Sequence, residues 1–138
     1  MKTRSSLACV AAALSLCAGA ASAGMYDQPY GQVESGDAAP AREEARVAVT
    51  KIDGKSVRST RSSDPLEPGK HLVTVHFDSA RGLFRPEYIE FDLNVEACTR
   101  YRIVAKYEMP TGGDWKPRVY TEPIGECVRK FNKDEPKK

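Results

Sequence analysis

Tyr88-Ile89-Glu90-Phe91-Asp92-Leu93-Asn94-Val95-Glu96 alternates apolar and polar residues after its first position. Ala97-Cys98 interrupts it, and Thr99-Arg100-Tyr101-Arg102-Ile103-Val104-Ala105-Lys106-Tyr107-Glu108 resumes the period of two. Successive side chains of a strand point to opposite faces, so this period predicts two strands joined by a tight reversal. Ile89, Phe91, Leu93 and Val95 take one face of the first strand, and Tyr88, Glu90, Asp92, Asn94 and Glu96 the other. In the second, Tyr101, Ile103, Ala105 and Tyr107 oppose Arg100, Arg102, Val104, Lys106 and Glu108. One dry and one wet face per strand is the pattern of an antiparallel sheet. The acids of the first strand and the bases of the second predict attraction across the pair, at about a few tenths of a kcal/mol per contact.

The same period extends outward in both directions. Upstream, Val47 and Val49 alternate with Ala48 and Thr50, and Asp53-Gly54 supplies a type I′ hairpin turn. Residues 55–60 read as a short return strand and residues 61–67 as a polar loop. Pro68-Gly69 is a turn leading into a strand with His71, Val73, Val75 and Phe77 on one face and Leu72, Thr74 and His76 on the other. Residues 79–86 are a loop. Downstream, Gly112-Gly113 marks a hairpin tip and residues 115–121 return as a strand. The pattern predicts an all-β domain over residues 46–127. Its expected form is an antiparallel β-sandwich of about seven short strands, immunoglobulin-like or transthyretin-like. The charged outer faces argue against an outer-membrane barrel, whose lipid face is apolar.

The chain ends have other compositions. The whole chain of 138 residues carries 21 Lys and Arg against 19 Asp and Glu. Lys2 and Arg4 account for the excess, so bases and acids balance beyond residue 23. That balance argues against a nucleic-acid partner, whose binding rests on phosphate neutralisation. Residues 1–23 read as a secretory signal: a basic start, an uncharged Ala- and Leu-rich run, and Ala21-Ser22-Ala23 before a cleavage point at Gly24. The run is shorter than a membrane span, and no later stretch approaches one. The expected setting is the periplasm or the extracellular space. An alternative is lipidation at Cys17, after Leu14-Ser15-Leu16, which would make a membrane-anchored lipoprotein. Residues 24–45 hold five acids, one Arg and one branched aliphatic residue, Val33, and read as a disordered acidic spacer. Residues 128–138 read as a frayed basic tail.

Export leaves Cys98 and Cys127 in an oxidising compartment, where a disulfide is expected. It would close a loop of about 30 residues, with a chain-entropy stabilisation of about 3.6 kcal/mol. Free thiols or metal ligation are the other readings, but the pair lacks the spacing of a zinc site. His71 and His76 differ by an odd offset and face apart, so they are a poor metal pair. No nucleophile elbow surrounds Ser59, Ser62, Ser63 or Ser79, and no phosphate-cradling glycine loop occurs. Glu90 and Asp92 share a face as solvent cover. The reading therefore names no catalytic residue, no metal ligand and no cofactor. Trp115, beside Gly112-Gly113-Asp114, has two roles open to it: an anchor for a sugar or a partner, with Asp114, or a cap on the core. Arg81, Arg85, Arg100 and Arg102 are either a basic patch or scattered solubilising charge.

Ile52-Asp53-Gly54-Lys55, followed by Leu66-Glu67-Pro68-Gly69-Lys70-His71-Leu72-Val73-Thr74-Val75, resembles the PEGA-like group of small bacterial surface domains over residues 46–80. The resemblance implies a β-sandwich in the cell envelope and supplies no catalytic residues. The later stretch, with Cys98 and Cys127, departs from that group and looks like exported bacterial proteins of unknown function. The expected function is a non-enzymatic exported module that binds a protein or an envelope polymer. A loop-based hydrolase or hydrolase inhibitor, and a structural lipoprotein, are the alternatives.

Overall fold

The computed structural model describes residues 24–77 and 83–131. Residues 1–23, on which the expected signal with Ala23 and the alternative lipidation site Cys17 fall, the loop residues Ser79 and Arg81, and residues 132–138 lie outside the described residues. Among the described residues there are nine strands: β1 Gln32–Ser35, β2 Glu44–Arg46, β3 Ala48–Ile52, β4 Lys55–Ser56, β5 Gly69–His76, β6 Phe84–Arg85, β7 Tyr88–Val95, β8 Thr99–Tyr107 and β9 Gly113–Pro123. A 3-10 turn spans Pro40–Arg42, and one helix, α1, spans Gly125–Phe131. The protein is mostly β, in two sheets. One runs β4-β3-β5-β7; the other runs β1-β8-β9-β6, with β2 also on β8.

The alternation in the sequence becomes the core. Val49, Val73, Val75, Leu93 and Val95 of the first sheet meet Val33, Tyr101, Ile103, Ala105 and Trp115 of the second in one buried cluster. Asp53 and Gly54 both take positive φ, 52° and 76°, as the type I′ turn requires. The return strand after it is only Lys55–Ser56. The β8–β9 hairpin forms in full register from Thr99↔Pro123 to Tyr107↔Trp115. Pairing is not wholly antiparallel: β1 lies parallel to β8, and β6 parallel to β9.

The strongest sequence signal folds differently from its simplest reading. β7 and β8 do not pair. β7 pairs with β5, and β8 pairs with β9, β1 and β2. Ala97-Cys98 is an arch between sheets, with Cys98 at φ 55°. Tyr101 closes it: its hydroxyl donates to Asn94 O at 3.1 Å and accepts from Glu96 N at 2.8 Å. The charges expected to meet across β7 and β8 find other partners. Asp92 pairs with Lys70, Arg100 with Glu34 and Glu122, and Lys106 with Glu43. Alternation reports which face is dry but not which strand lies alongside. Tyr101→Phe removes both hydroxyl bonds and leaves the ring packed, so a loss of about 1–2 kcal/mol in urea-monitored stability is expected. An unchanged midpoint would remove the hydroxyl from the account of the arch.

Residues 24–45 are not a disordered spacer. β1 pairs with Arg100–Ile103 of β8 on one side, and on the other Gly31 bridges Leu66 and Glu34 bridges Ser62. Val33 is fully buried and Tyr30 nearly so. The segment contributes few apolar groups, but it completes a sheet and satisfies backbone on both sides, which composition does not report. Gly31 and Gly36 allow the close approach: an added Cβ would lie 2.2 Å from Val95 and 2.5 Å from Val104, respectively.

Residues 128–131 are likewise ordered, as the last turns of α1. Tyr30, Cys98, Ile124 and Cys127 form a second small core, with Val128 and Phe131 against it. Lys130 Nζ donates to Tyr26 O at 2.6 Å, tying the helix to the N-terminal segment.

Candidate functional site

The structure sorts the residues singled out from the sequence. Cys98 and Cys127 are bridged, with Cα atoms 5.2 Å apart. The bridge fastens the β7–β8 arch to α1. Trp115 is 3% exposed, packs edge-on against Phe77, and donates its indole N–H to Pro86 O at 2.6 Å. The core role therefore holds, and the surface-anchor role does not: the inward period of β9 carries the ring away from Asp114, which is exposed. Of the four arginines considered as a basic patch, Arg85 pairs with Glu87 and Arg100 and Arg102 share Glu122, while Arg81 lies outside the described residues.

His71 and His76 do face apart. His76 stacks on Tyr88 with ring centroids 4.4 Å apart. His71 is largely buried between two acceptors, with Nδ1 2.6 Å from Asp53 Oδ2 and Nε2 2.8 Å from Glu67 O. Neither a carboxylate nor a carbonyl donates, so the arrangement is satisfied when both ring nitrogens donate, which favours the imidazolium form. Asp53 Oδ1 also accepts Leu72 N at 2.9 Å. Burial opposes the charge on His71, but the bonds to Asp53 and to the Glu67 carbonyl outweigh it and raise its pKa. The His71 bond, then the Leu72 amide, lower the pKa of Asp53. Lys55 and Glu67 are the other charged groups acting on this pair.

The linkage follows from those directions. The His71 contribution is complete below its unfolded pKa and is lost as pH rises through its higher folded value. The Asp53 contribution is complete above its unfolded pKa and is lost as pH falls through its lower folded value. The clasp is fully present between about pH 4 and pH 6.5. His71→Ala should cost about 0.5–1 kcal/mol more at pH 5.5 than at pH 9, the exposed Asp53 carboxylate being screened by solvent. Urea titrations of both proteins at the two pH values measure this. An equal cost at both would mean that the ring is not charged in the fold.

The main recess lies on the outer face of the β8–β9 sheet. Period two turns Arg102 and Val104 of β8, and Arg118, Tyr120 and Glu122 of β9, to this face, and register sets Arg102 beside Tyr120 and Val104 beside Arg118. β2 adds Glu44, and the segment from Gly36 to Arg42 crosses above. The result is a groove of about 610 Å³ floored by Val104. Glu44 is the fixed point. Its carboxylate is fully buried and accepts the Tyr120 hydroxyl, Arg42 Nε at 3.0 Å, and an ion pair from Arg118 at 3.7 Å. The Tyr120 bond lowers the pKa of Glu44; burial opposes this, and the Arg42 bond adds to it. Arg118 also lies over the Tyr120 ring, 5.3 Å from its centroid. Lys106 Nζ holds Arg42 O at 2.5 Å and Glu43 at 3.0 Å, fixing the crossing segment on the sheet.

Sequence reasoning missed this constellation. Its members come from three separate stretches, one of them assigned as spacer, and its outward residues read as solvent cover. The only local signal was the density of Arg on the outward positions of β8 and β9. Among the described residues, no group of His, Cys, Asp and Glu is arranged to hold a metal ion, and no helix is long and apolar enough to cross a membrane. No family model, curated protein or solved structure matches the chain.

Proposed function

We propose that the chain is an exported, non-enzymatic β-sandwich module of the bacterial cell envelope that binds a partner on the outer face of its β8–β9 sheet. The observation that carries this reading is the groove over Val104, with its buried Glu44 and the guanidinium groups ordered around it. A buried carboxylate with one hydroxyl and two arginines fixes side chains that would otherwise be free on a surface, and preorganised donors favour binding. Export is supported by the signal pattern of residues 1–23 and by the Cys98–Cys127 bridge, because disulfides persist in oxidising compartments. The Tyr101 hydroxyl across the arch is similar to the tyrosine corner of immunoglobulin-like sandwiches, and the turn motifs of residues 52–75 to PEGA-like domains. A loop hydrolase has less support, since both ring nitrogens of His71 are engaged.

The test is photo-crosslinking in the native envelope. A crosslinker at Thr121, which lines the groove, should give specific adducts, and one at Leu72, exposed on the other sheet, should not. Adducts at Leu72 alone would overturn the placement, and adducts at neither position would overturn the binding reading. Mass analysis of the same material reads the N-terminus: Gly24 supports release, and an acylated Cys17 supports the lipoprotein alternative.

A further inference from the structure

We infer that the groove is one end of an arginine-lined track that binds a non-peptide polyanion, a polymer with no peptide backbone that repeats carboxylate or phosphate groups. The inference rests on the binding reading above and names its ligand class.

The track is made of two adjoining recesses. A second recess of about 310 Å³ shares Gly36, Asp37 and Arg102 with the first and adds Arg46 and Arg61. Five arginines therefore line the two recesses: Arg42 and Arg118 the first, Arg46 and Arg61 the second, and Arg102 both. The lining also holds acids, but each carboxylate is engaged. Glu44 has 0% of its side chain exposed and is held by Tyr120, Arg42 and Arg118. Glu122 is held by Arg100 and Arg102, Glu34 by Arg100, and Asp37 by Arg46.

The guanidinium groups are engaged on one side only. Arg42, Arg118 and Arg102 keep 65%, 53% and 45% of their side chains exposed. Each fork has five N–H donors, and Arg42 uses one nitrogen and Arg102 one on these acids. Arg61 has no ion-pair partner among the described residues. The exposed valence of the track is mostly donor, with Asp37, 86% exposed, as its most open carboxylate, and its formal charges nearly balance. Planar forks with free N–H pairs match carboxylate and phosphate oxygens.

The surroundings favour a polymer over a peptide. β8 is paired with β9 on one edge and with β1 and β2 on the other, so no main-chain ladder is open along β8 for an added strand, while the far edge of β9 is paired with β6 only at Gly113 and Asp114. Val104 is the apolar floor, and the lining is otherwise polar apart from the Tyr120 ring. Recognition over β8 then passes through side-chain donors, which suits a repeated anion.

The test is equilibrium binding of the oxidised full-length mature chain to four probes: polygalacturonate, polyphosphate, polyglutamate and dextran. Binding to polygalacturonate or polyphosphate that weakens with added salt supports the inference, and the stronger of the two identifies the source of the oxyanion. Arg118→Gln, Arg102→Gln and Arg61→Gln should each weaken it about tenfold, with no change in melting temperature for Arg61→Gln. Arg85→Gln, outside the track, should bind as the parent does. Preference for polyglutamate would assign the track to an acidic protein segment and overturn the inference. Binding unchanged in all three track variants, or no binding to any polyanion, would overturn it too. Were Thr121 adducts still formed in the envelope in that last case, the binding module would stand and only its ligand class would fall.

Discussion

Replacing Cys98 and Cys127 together with alanine lowers the unfolding free energy by about 3.6 kcal/mol, the chain-entropy value for a loop of about 30 residues. The melting temperature should fall on the order of 15 °C. The loss has a structural location. The bridge fastens the β7–β8 arch to α1, and both its cysteines are buried in the second core with Tyr30 and Ile124. Without it α1 retains one turn of contacts through Val128 and Phe131 and the tie from Lys130 to Tyr26. A seven-residue helix is not stable alone. The first effect should therefore be exposure of Tyr30 and fraying after Pro123, with the large core intact until higher denaturant. Urea unfolding with and without reductant measures the energy, and hydrogen exchange at Val128 and Tyr30 measures the order of events. A loss below about 1 kcal/mol would refute the stapling role.

Deleting residues 24–45 abolishes cooperative folding or lowers stability by at least about 4 kcal/mol, which approaches the whole stability of a marginal domain. Val33 and Tyr30 each contribute about 2 kcal/mol through burial. The deletion also unpairs one edge of β8 and removes the backbone partners of Ser63 and Leu66. It takes away Glu44 as well, leaving Arg118 and Tyr120 without their anchor. Circular dichroism melts of the purified chain before and after deletion decide the matter. A disordered spacer requires melts that superimpose.

Both expectations bear on what could be read without coordinates. The faces of β5, β7 and β8 were legible because burial of alternate residues is a local property with a fixed period. The hairpins at Asp53-Gly54 and Gly112-Gly113 were legible because positive φ restricts residue choice. The bridge was legible from the cysteine count and the expected export. The arch was not. A two-residue reversal between alternating segments serves a hairpin or a sheet change equally well, and Cys98 at positive φ carries no mark in its residue type. The groove over Val104 was not legible either, because an outward Arg on a strand reads alike whether it meets solvent or a buried Glu44.

The sequence by itself determined the all-β character, the inward and outward faces, the turns and the cysteine pair, since each follows from side-chain period, backbone permissiveness or composition along a short stretch. Only the tertiary structure decided that β7 and β8 belong to different sheets, that residues 32–46 complete the edge of β8, that Trp115 belongs to the core, and that Glu44 gathers Arg42, Arg118 and Tyr120 into a groove. Those outcomes depend on which distant segments satisfy each other's backbone and buried charge, and no local pattern encodes that choice.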